Sequence, residues 1–582
     1  MAGPRAFTVE RDVPVPMRDG VTLRADVFRP AGGGRHPALL QRNPYDKSVP
    51  STVVGFILKA LDRGYAVVTQ DVRGRYASEG DFHPFFDERQ DGYDTLDWLA
   101  GQPWCDGNIG MFNQSYLGLT QWQAALSGHP ALKAIVPGVT ADDYHDGWVY
   151  QGGAFELSFN YTWTMFNLLP DGIARRRAAG DEAAAADAIA IQDLQDATAD
   201  GMARLPLAWN PLIARYAPYY AEWLAHPAYD EYWERIDVSG GYERLSIPTM
   251  SLGGWYDIFL KGTIGNFTGM RARAATAEAR EHQRLIVGPW NHSGMRNGNP
   301  IGAVDFGVRS TGDAIDQEEL HLRWYDRWLR GVDGGEDDPP VRIFVMGANR
   351  WRDEREWPLA RTDYQRWYLH SGGRANSLRG DGTLGPETPG AEPPDTYVYN
   401  PLNPTPTMGG GLCCSHVYSQ GGAYDQRDVE AREDVLVYTT PPLVEPVEVT
   451  GPVTMVLHAT SSAPDTDFTA KLVDVSPCGF ARNLTDGILR ARYRTSAREP
   501  RLLTPGEPVE LEIDMIATSN VFLPGHRIRV EIASSNFPRF DRNPNTGEVP
   551  GRGTEVVSAL QTVLHSADHP SHLVLPVIPE DR

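Results

Sequence analysis

From about residue 8 to 145, short apolar runs alternate with helical stretches, a pattern that predicts βα units around a mostly parallel sheet. The runs Ala38–Leu40, Tyr65–Val68, Ile109–Phe112 and Leu132–Val136 each lead into a loop that carries polar residues or proline. The character changes between about residues 146 and 240, where the alanine-rich segment Arg175–Leu205 is built of strong helix formers with few β-branched residues. That segment reads as a helical insertion, because the βα pattern resumes at Ile247–Leu252 and Leu285–Val287. Beyond about residue 352 the apolar positions take period two: Val453, Met455, Leu457 and Ala459, then Val509, Leu511, Ile513 and Met515. Proline and glycine punctuate this last region heavily, which predicts a β-sandwich or jelly roll of many short strands.

Length agrees with several units, since 582 residues exceed what one hydrophobic core normally supports. A net charge of -22 repels phosphate backbones and anionic lipid, so neither nucleic acid nor a membrane surface is an expected partner. No run of about 18 apolar residues is present, and the first residues carry charges throughout rather than an apolar core, so no membrane span or secretion signal is expected. The four cysteines Cys105, Cys413, Cys414 and Cys478 are too few and scattered for a disulfide scaffold. A cytoplasmic setting fits them, with all four expected to be structural, although the adjacent Cys413 and Cys414 leave a redox-active pair open. Without an H-E-x-x-H, a Walker loop or a dinucleotide fingerprint, no metal and no organic cofactor is expected.

Candidate chemistry sits at the ends of the apolar runs. Ser115 lies between the run Ile109–Phe112 and the amphipathic stretch Leu119–Leu126, the strand-turn-helix context of a nucleophile elbow. The usual G-x-S-x-G is only partly met: Asn113 replaces the first glycine, and Gly118 stands one residue beyond the second. Taken alone, Ser115 equally fits a helix cap. A serine hydroxyl needs a base, and the base needs a third group to hold its tautomer. Asp257 follows the run Ile247–Leu252, and His292 follows Leu285–Val287. Singly, these fit a helix cap and a loop hydrogen-bonder. Jointly, the order Ser, Asp, His at the carboxyl ends of three strands is that of an α/β-hydrolase triad.

Longer motifs then carry a family likeness: Arg42–Lys47 (RNPYDK), Gln70–Gly74 (QDVRG), Ala77–Gly80 (ASEG), Trp104–Phe112, Ser115–Gly118 with Thr120–Ala125, Gly254–Asp257 and Gly288–His292. Asp465–Asp474 and Ser519–His526 extend it into the β-rich region. Through these the chain resembles the cocaine esterase and X-Pro dipeptidyl-peptidase-like serine hydrolases along nearly its whole length. The resemblance implies an α/β fold class with an α/β-hydrolase core (1–145 and 241–351), an inserted helical cap (146–240) and a C-terminal jelly-roll β-sandwich (352–582). It also implies an oxyanion hole from the Tyr45 hydroxyl and the Tyr116 amide, and an aromatic substrate pocket lined by Trp148, Trp163 and Phe259. A phenol with an ordinary pKa near 10 donates at neutral pH, which suits Tyr45 to that role.

The expected activity is hydrolysis of small carboxylic esters, aromatic-acid esters among them, through an acyl-enzyme. Release of X-Pro dipeptides, or acyl transfer on β-lactam or α-amino-acid esters, is the alternative and needs anionic side chains to hold a substrate ammonium. A third reading is a ligand-binding protein in which Asn113 has disabled the elbow. Apolar and aromatic surface on the β-rich domain would also permit a homodimer.

Overall fold

The structure is a computed structural model that describes residues 6–48, 54–295, 298–332, 338–414 and 420–579. Its first sheet has ten strands: β1 (Phe7–Pro16), β2 (Thr22–Pro30), β3 (His36–Asn43), β4 (Ala66–Asp71), β5 (Cys105–Gln114), β6 (Leu132–Gly138), β7 (Thr249–Tyr256), β8 (Gln283–Asn291), β9 (Val341–Val345) and β10 (Arg350–Glu354). Their order across the sheet is β1-β2-β4-β3-β5-β6-β7-β8-β9-β10. Seven neighbouring strands, β4 to β9 in that order, run parallel; β1, β2 and β10 close the edges antiparallel. Helices cover the parallel strands, which is why β4 is buried at every residue and opens on the apolar run that ends at Val68.

Strand β7 starts at Thr249, two residues after the predicted Ile247, because Pro248 at the boundary has no N–H to give the ladder. The edge pair β1 and β2 is missed by the sequence pattern. Its outer strand is exposed on most positions, so no apolar run marks it.

Between β6 and β7 the chain leaves the sheet. It forms a small hairpin, Tyr150–Gln151 with Ala154–Phe155, and then short helices that include Leu157–Thr162, Leu169–Ala178, Ala183–Asp196 and Pro218–Ala225. A π-helical turn, Trp163–Leu168, interrupts the first of these. Within the alanine-rich segment the helix Ala183–Asp196 lies on the surface, with only its Ala184 and Ile191 buried.

From Asp363 onward the chain builds a second sheet of twelve strands among the described residues. Its longest pair, Val447–Ser461 and Val509–Phe522, runs antiparallel with a register shift between Pro452 and Thr454. Val453, Met455, Leu457 and Ala459 are fully buried in alternation with partly exposed neighbours, as the period-two pattern predicts. The two sheets are tied directly: the Tyr256 hydroxyl donates to the Asn483 carbonyl at 2.9 Å, and Met346 bridges to Asn520. Among the described residues no helix is long and apolar enough to cross a membrane.

Candidate active site

Three loops at the carboxyl ends of β5, β7 and β8 converge. Ser115 sits between β5 and the helix Tyr116–Leu126 with φ 61° and ψ −127°, a left-handed position that a serine occupies at a cost. The surroundings hold it there: the Ser115 amide donates to the Gly138 carbonyl at 2.9 Å. Gly118 lets the helix approach strand β6, since a Cβ there would stand 3.1 Å from the Gly138 carbonyl oxygen.

Asn113, where the nucleophile-elbow motif leads one to expect glycine, has φ 96°. Its side chain makes this bearable by donating to Gln41 at 2.7 Å and accepting from the Gln114 amide at 2.9 Å, and its carbonyl receives Gln121 at 2.8 Å. Asparagine tolerates that backbone better than most residues. The strand-turn-helix geometry is therefore present despite the substitution.

His292 links the two other loops. Its Nδ1 is 2.7 Å from Asp257 Oδ1 and its Nε2 is 3.0 Å from Ser115 Oγ. A carboxylate only accepts, so Nδ1 carries the proton and Nε2 offers its lone pair to the serine hydroxyl. The second oxygen of Asp257 accepts from the Phe259 amide at 3.0 Å, which fixes the carboxylate plane. Asp257 and His292 are nearly shut off from water. Gly254 allows the close approach of β7 to β8, because a Cβ there would lie 2.2 Å from the Trp290 carbonyl oxygen.

Tyr45, after β3, is in hydrogen-bonding contact with Ser115, and burial pushes its pKa up to about 12 against the lowering effect of its bonds to Trp163 and Ser115. It is thus a neutral O–H donor at any physiological pH. Trp163 Nε1 donates to the Tyr45 oxygen at 3.0 Å, which leaves the phenolic proton free to point elsewhere. The backbone N–H of Tyr116 is the first of its helix and has no carbonyl four residues back within it. The Tyr116 ring runs back into the core, where its hydroxyl donates to Glu88 at 2.9 Å, and Glu88 is in turn clamped by buried Arg42 at 2.6 Å. Burial raises the Glu88 pKa, opposed chiefly by Arg42.

The three expected pocket aromatics lie together. Trp148 stacks on Phe259 with centroids 4.3 Å apart, Trp163 meets Trp148 edge-on at 5.7 Å, and Phe259 meets the His292 ring edge-on at 5.3 Å. Phe159, which no motif marks, stacks on Trp163 at 5.7 Å and belongs to the same cluster. Trp163 therefore has two contacts of different kind, a ring face toward the aromatics and an indole N–H toward Tyr45.

The cysteines depart from expectation. Cys105 is buried and Cys478 exposed, but Cys413 and Cys414 are joined as a disulfide between adjacent residues. They are not inert packing remote from the chemistry, because their sulfurs and a His292 ring nitrogen all lie within 4.8 Å of one another. The segment that joins strands of the second sheet crosses beside the active site, and only the tertiary fold brings it there.

Similarity to known proteins places the chain in a family. Residues 19–294 match the X-Pro dipeptidyl-peptidase (S15 family) domain, and residues 333–574 match the X-Pro dipeptidyl-peptidase C-terminal non-catalytic domain. Cocaine esterase of a Rhodococcus species is 44% identical over 98% of this chain and 99% of its own length. The chain belongs to this serine-hydrolase family. Two solved structures are similar to the chain over nearly its whole length. An aminopeptidase from a marine sediment Thaumarchaeota archaeon covers 100% of this chain and 98% of its own at 27% identity and a TM-score of 0.81. An α-amino acid ester hydrolase covers 99% and 97% at 27% identity and a TM-score of 0.80. An S15 catalytic domain followed by a β-rich non-catalytic domain is thus the organisation of the chain.

Proposed function

We propose that the chain is a serine carboxylesterase for small esters, aromatic-acid esters included, and that Ser115, His292 and Asp257 are its triad. One observation carries the reading: the continuous chain of contacts from Asp257 through His292 to Ser115, at 2.7 and 3.0 Å. In the reaction, Ser115 Oγ attacks the ester carbonyl carbon while its proton passes to His292 Nε2. Asp257 stabilises the imidazolium without taking its proton. The carbonyl electron pair moves onto oxygen, where the Tyr45 O–H and the Tyr116 N–H receive it. Collapse of the tetrahedral species breaks the bond to the alcohol, which leaves with the proton from His292. Water then repeats the sequence on the acyl-enzyme and frees the acid.

The aromatic group of Trp148, Trp163 and Phe259 suits a planar acyl moiety held by apolar contact. Cocaine esterase acts on an ester by name, and an aromatic-acid ester is the substrate class we carry over. The amide and amino-ester alternatives need carboxylates free to hold an ammonium. Asp486, on the flank of the site, is instead taken by buried Arg539 at 2.6 Å, and the same guanidinium stands 3.4 Å from Glu156, which favours the ester reading.

Within the same reading the S15 part is an α/β-hydrolase core of residues 1–145 and 241–351 with a cap of 146–240, and residues 352–582 form a jelly roll. The parallel strands β4 to β9 and the helices that follow Tyr150 support that division. With so few cysteines we place the protein in the cytoplasm, a setting in which the Cys413–Cys414 pair would be kept reduced. Exposed Val398 and Leu560, paired across neighbouring strands of the second sheet, support a homodimer, for which sedimentation velocity is the test. The experiment for the activity is a panel of p-nitrophenyl acetate, p-nitrophenyl butyrate, a benzoate ester, cocaine and an X-Pro anilide. Preference for the benzoate supports the aromatic pocket, and turnover of the anilide instead of the esters overturns the ester assignment.

A further inference from the structure

The pair Cys413 and Cys414 has no part in ester hydrolysis, yet it is held at the heart of the site. Cys413 packs in the same apolar cluster as Tyr116, Trp148, Trp163 and Phe259. Two residues earlier, Gly411 brings this segment against Asp257, whose carbonyl oxygen lies 3.3 Å from where a Cβ on Gly411 would stand. Both sulfurs and one His292 nitrogen fall within 4.8 Å of one another. Neither Cys105 nor Cys478 joins such a group among the described residues.

We propose that, once the disulfide is reduced, Cys413, Cys414 and His292 form a binding site for one soft divalent cation of the zinc or cadmium class, and that occupancy switches hydrolysis off. The ligand set is chemically apt: two thiolates and an imidazole are preferred zinc ligands, and three protein ligands leave a fourth position for water. The two thiolates neutralise the dication, which suits a site whose His292 and Cys413 are buried.

His292 is already arranged as metal-binding histidines are. Its Nδ1 is held at 2.7 Å by the Asp257 carboxylate, which leaves Nε2 as the coordinating lone pair. Bond lengths of about 2.3 Å to sulfur and about 2.0 Å to nitrogen put tetrahedral ligand atoms about 3.5–3.8 Å apart. Side-chain rotation within the present 4.8 Å cluster reaches that spacing once the sulfurs are no longer bonded to each other.

The steps balance. A phosphine reductant supplies two electrons and takes up the oxygen of one water molecule, whose two protons go to the sulfurs, so the disulfide becomes two thiols and the phosphine its oxide. The cation then displaces both thiol protons to solvent and takes the Nε2 lone pair, the same pair that accepts the Ser115 proton during ester attack. Exchange with a small-molecule disulfide re-forms the Cys413–Cys414 bond: that oxidant takes the two electrons and, with two protons from solvent, leaves as two thiols, and the cation is released. The site is therefore an inhibitory one, open in a reducing and closed in an oxidising environment.

The test uses the full chain in a Cys478→Ser background, which removes the exposed thiol as a competing ligand. Enzyme reduced with a phosphine and desalted without oxygen is titrated with cadmium chloride, while the ultraviolet thiolate-to-cadmium charge-transfer band and ester hydrolysis are followed together. The expected result is one equivalent bound per chain, with hydrolysis lost in proportion and restored by a chelator, and no binding to the oxidised enzyme. Ser115→Ala should bind the same single equivalent, so the metal readout stands whether or not the esterase assignment holds. His292→Ala should bind about tenfold or more weakly, and Cys413→Ser with Cys414→Ser should abolish the band. The proposal is overturned if reduced enzyme binds no equivalent, if the double serine variant binds as the parent does, or if His292→Ala leaves affinity unchanged.

Discussion

Replacing Tyr45 by phenylalanine separates the oxyanion role of its hydroxyl from everything else the ring does. The ring volume is kept, so apolar packing should survive. One of two oxyanion donors is lost, and removing such a donor typically costs about 10²–10³ in kcat, or about 2.7–4 kcal/mol of transition-state stabilisation. A second effect follows from the indole bond. Trp163 Nε1 donates to the Tyr45 oxygen at 3.0 Å while Trp163 is only 1% exposed, so Tyr45→Phe leaves a buried donor without its partner. That costs on the order of 1–3 kcal/mol of folding stability. The paired change Trp163→Phe leaves the Tyr45 proton in place and should lower kcat by less than about tenfold, the worth of a neutral hydrogen bond. Because burial raises the Tyr45 pKa to about 12, the wild-type donor stays protonated throughout any practical assay range. The measurement is kcat and KM for p-nitrophenyl butyrate, with active enzyme counted by a fluorophosphonate label, beside a thermal melt. A Tyr45→Phe enzyme that keeps more than a tenth of wild-type kcat would refute the assignment of its hydroxyl to the oxyanion.

Other substitutions test neighbouring parts of the account. Asp257→Asn should lower kcat about 10⁴-fold with the fold intact, because the His292 tautomer is no longer held; circular dichroism checks the fold beside the rate. Asn113→Gly suits the φ of 96° and should keep activity within about threefold, whereas Asn113→Ala should destabilise by about 1–2 kcal/mol. Chemical denaturation distinguishes the pair. Trp148→Ala removes a fully buried ring stacked on Phe259 and should cost about 3–5 kcal/mol, with KM rising more for a benzoate than for an acetate ester. Burial, reinforced by Asp146, Asp237 and Asp142, pushes the Asp143 carboxyl up to about 8, so its ionisation opposes folding progressively as pH rises from the ordinary 3.8 to about 8. Asp143→Asn should therefore melt no higher than wild type at low pH and increasingly higher as pH passes toward 8, and a gap that shrinks with pH would contradict this.

How much of this was readable beforehand depended on the range of the interaction. Buried parallel strands must be apolar along their length, so β3 to β8 announce themselves as runs, and polar residues at their ends stand out. Ser115, Asp257 and His292 stood out in that way, and the structure brings the three within hydrogen-bonding distance. The edge strand β1 carries no such signal because its side chains face water. The bond from Trp163 to Tyr45 spans 118 residues and begins a π-helical turn that no local pattern encodes. Phe159 is one aromatic among many until the fold stacks it on Trp163. Asn113 looked like a defect in a motif, and only its contacts with Gln41 and Gln114 explain why asparagine serves there. The adjacency of Cys413 and Cys414 was visible, but their place beside His292 is a product of two sheets meeting.

The central claim is that Ser115 is the nucleophile, and the most direct test is hydrolysis of p-nitrophenyl butyrate and a benzoate ester by Ser115→Ala, with fluorophosphonate labelling of both proteins. The account predicts that turnover falls by about 10⁶-fold toward background and that the label, present on wild type, is absent from a variant that melts as wild type does. Turnover and labelling unchanged in Ser115→Ala, with contaminating esterases excluded, would contradict it and place the nucleophile elsewhere in the chain.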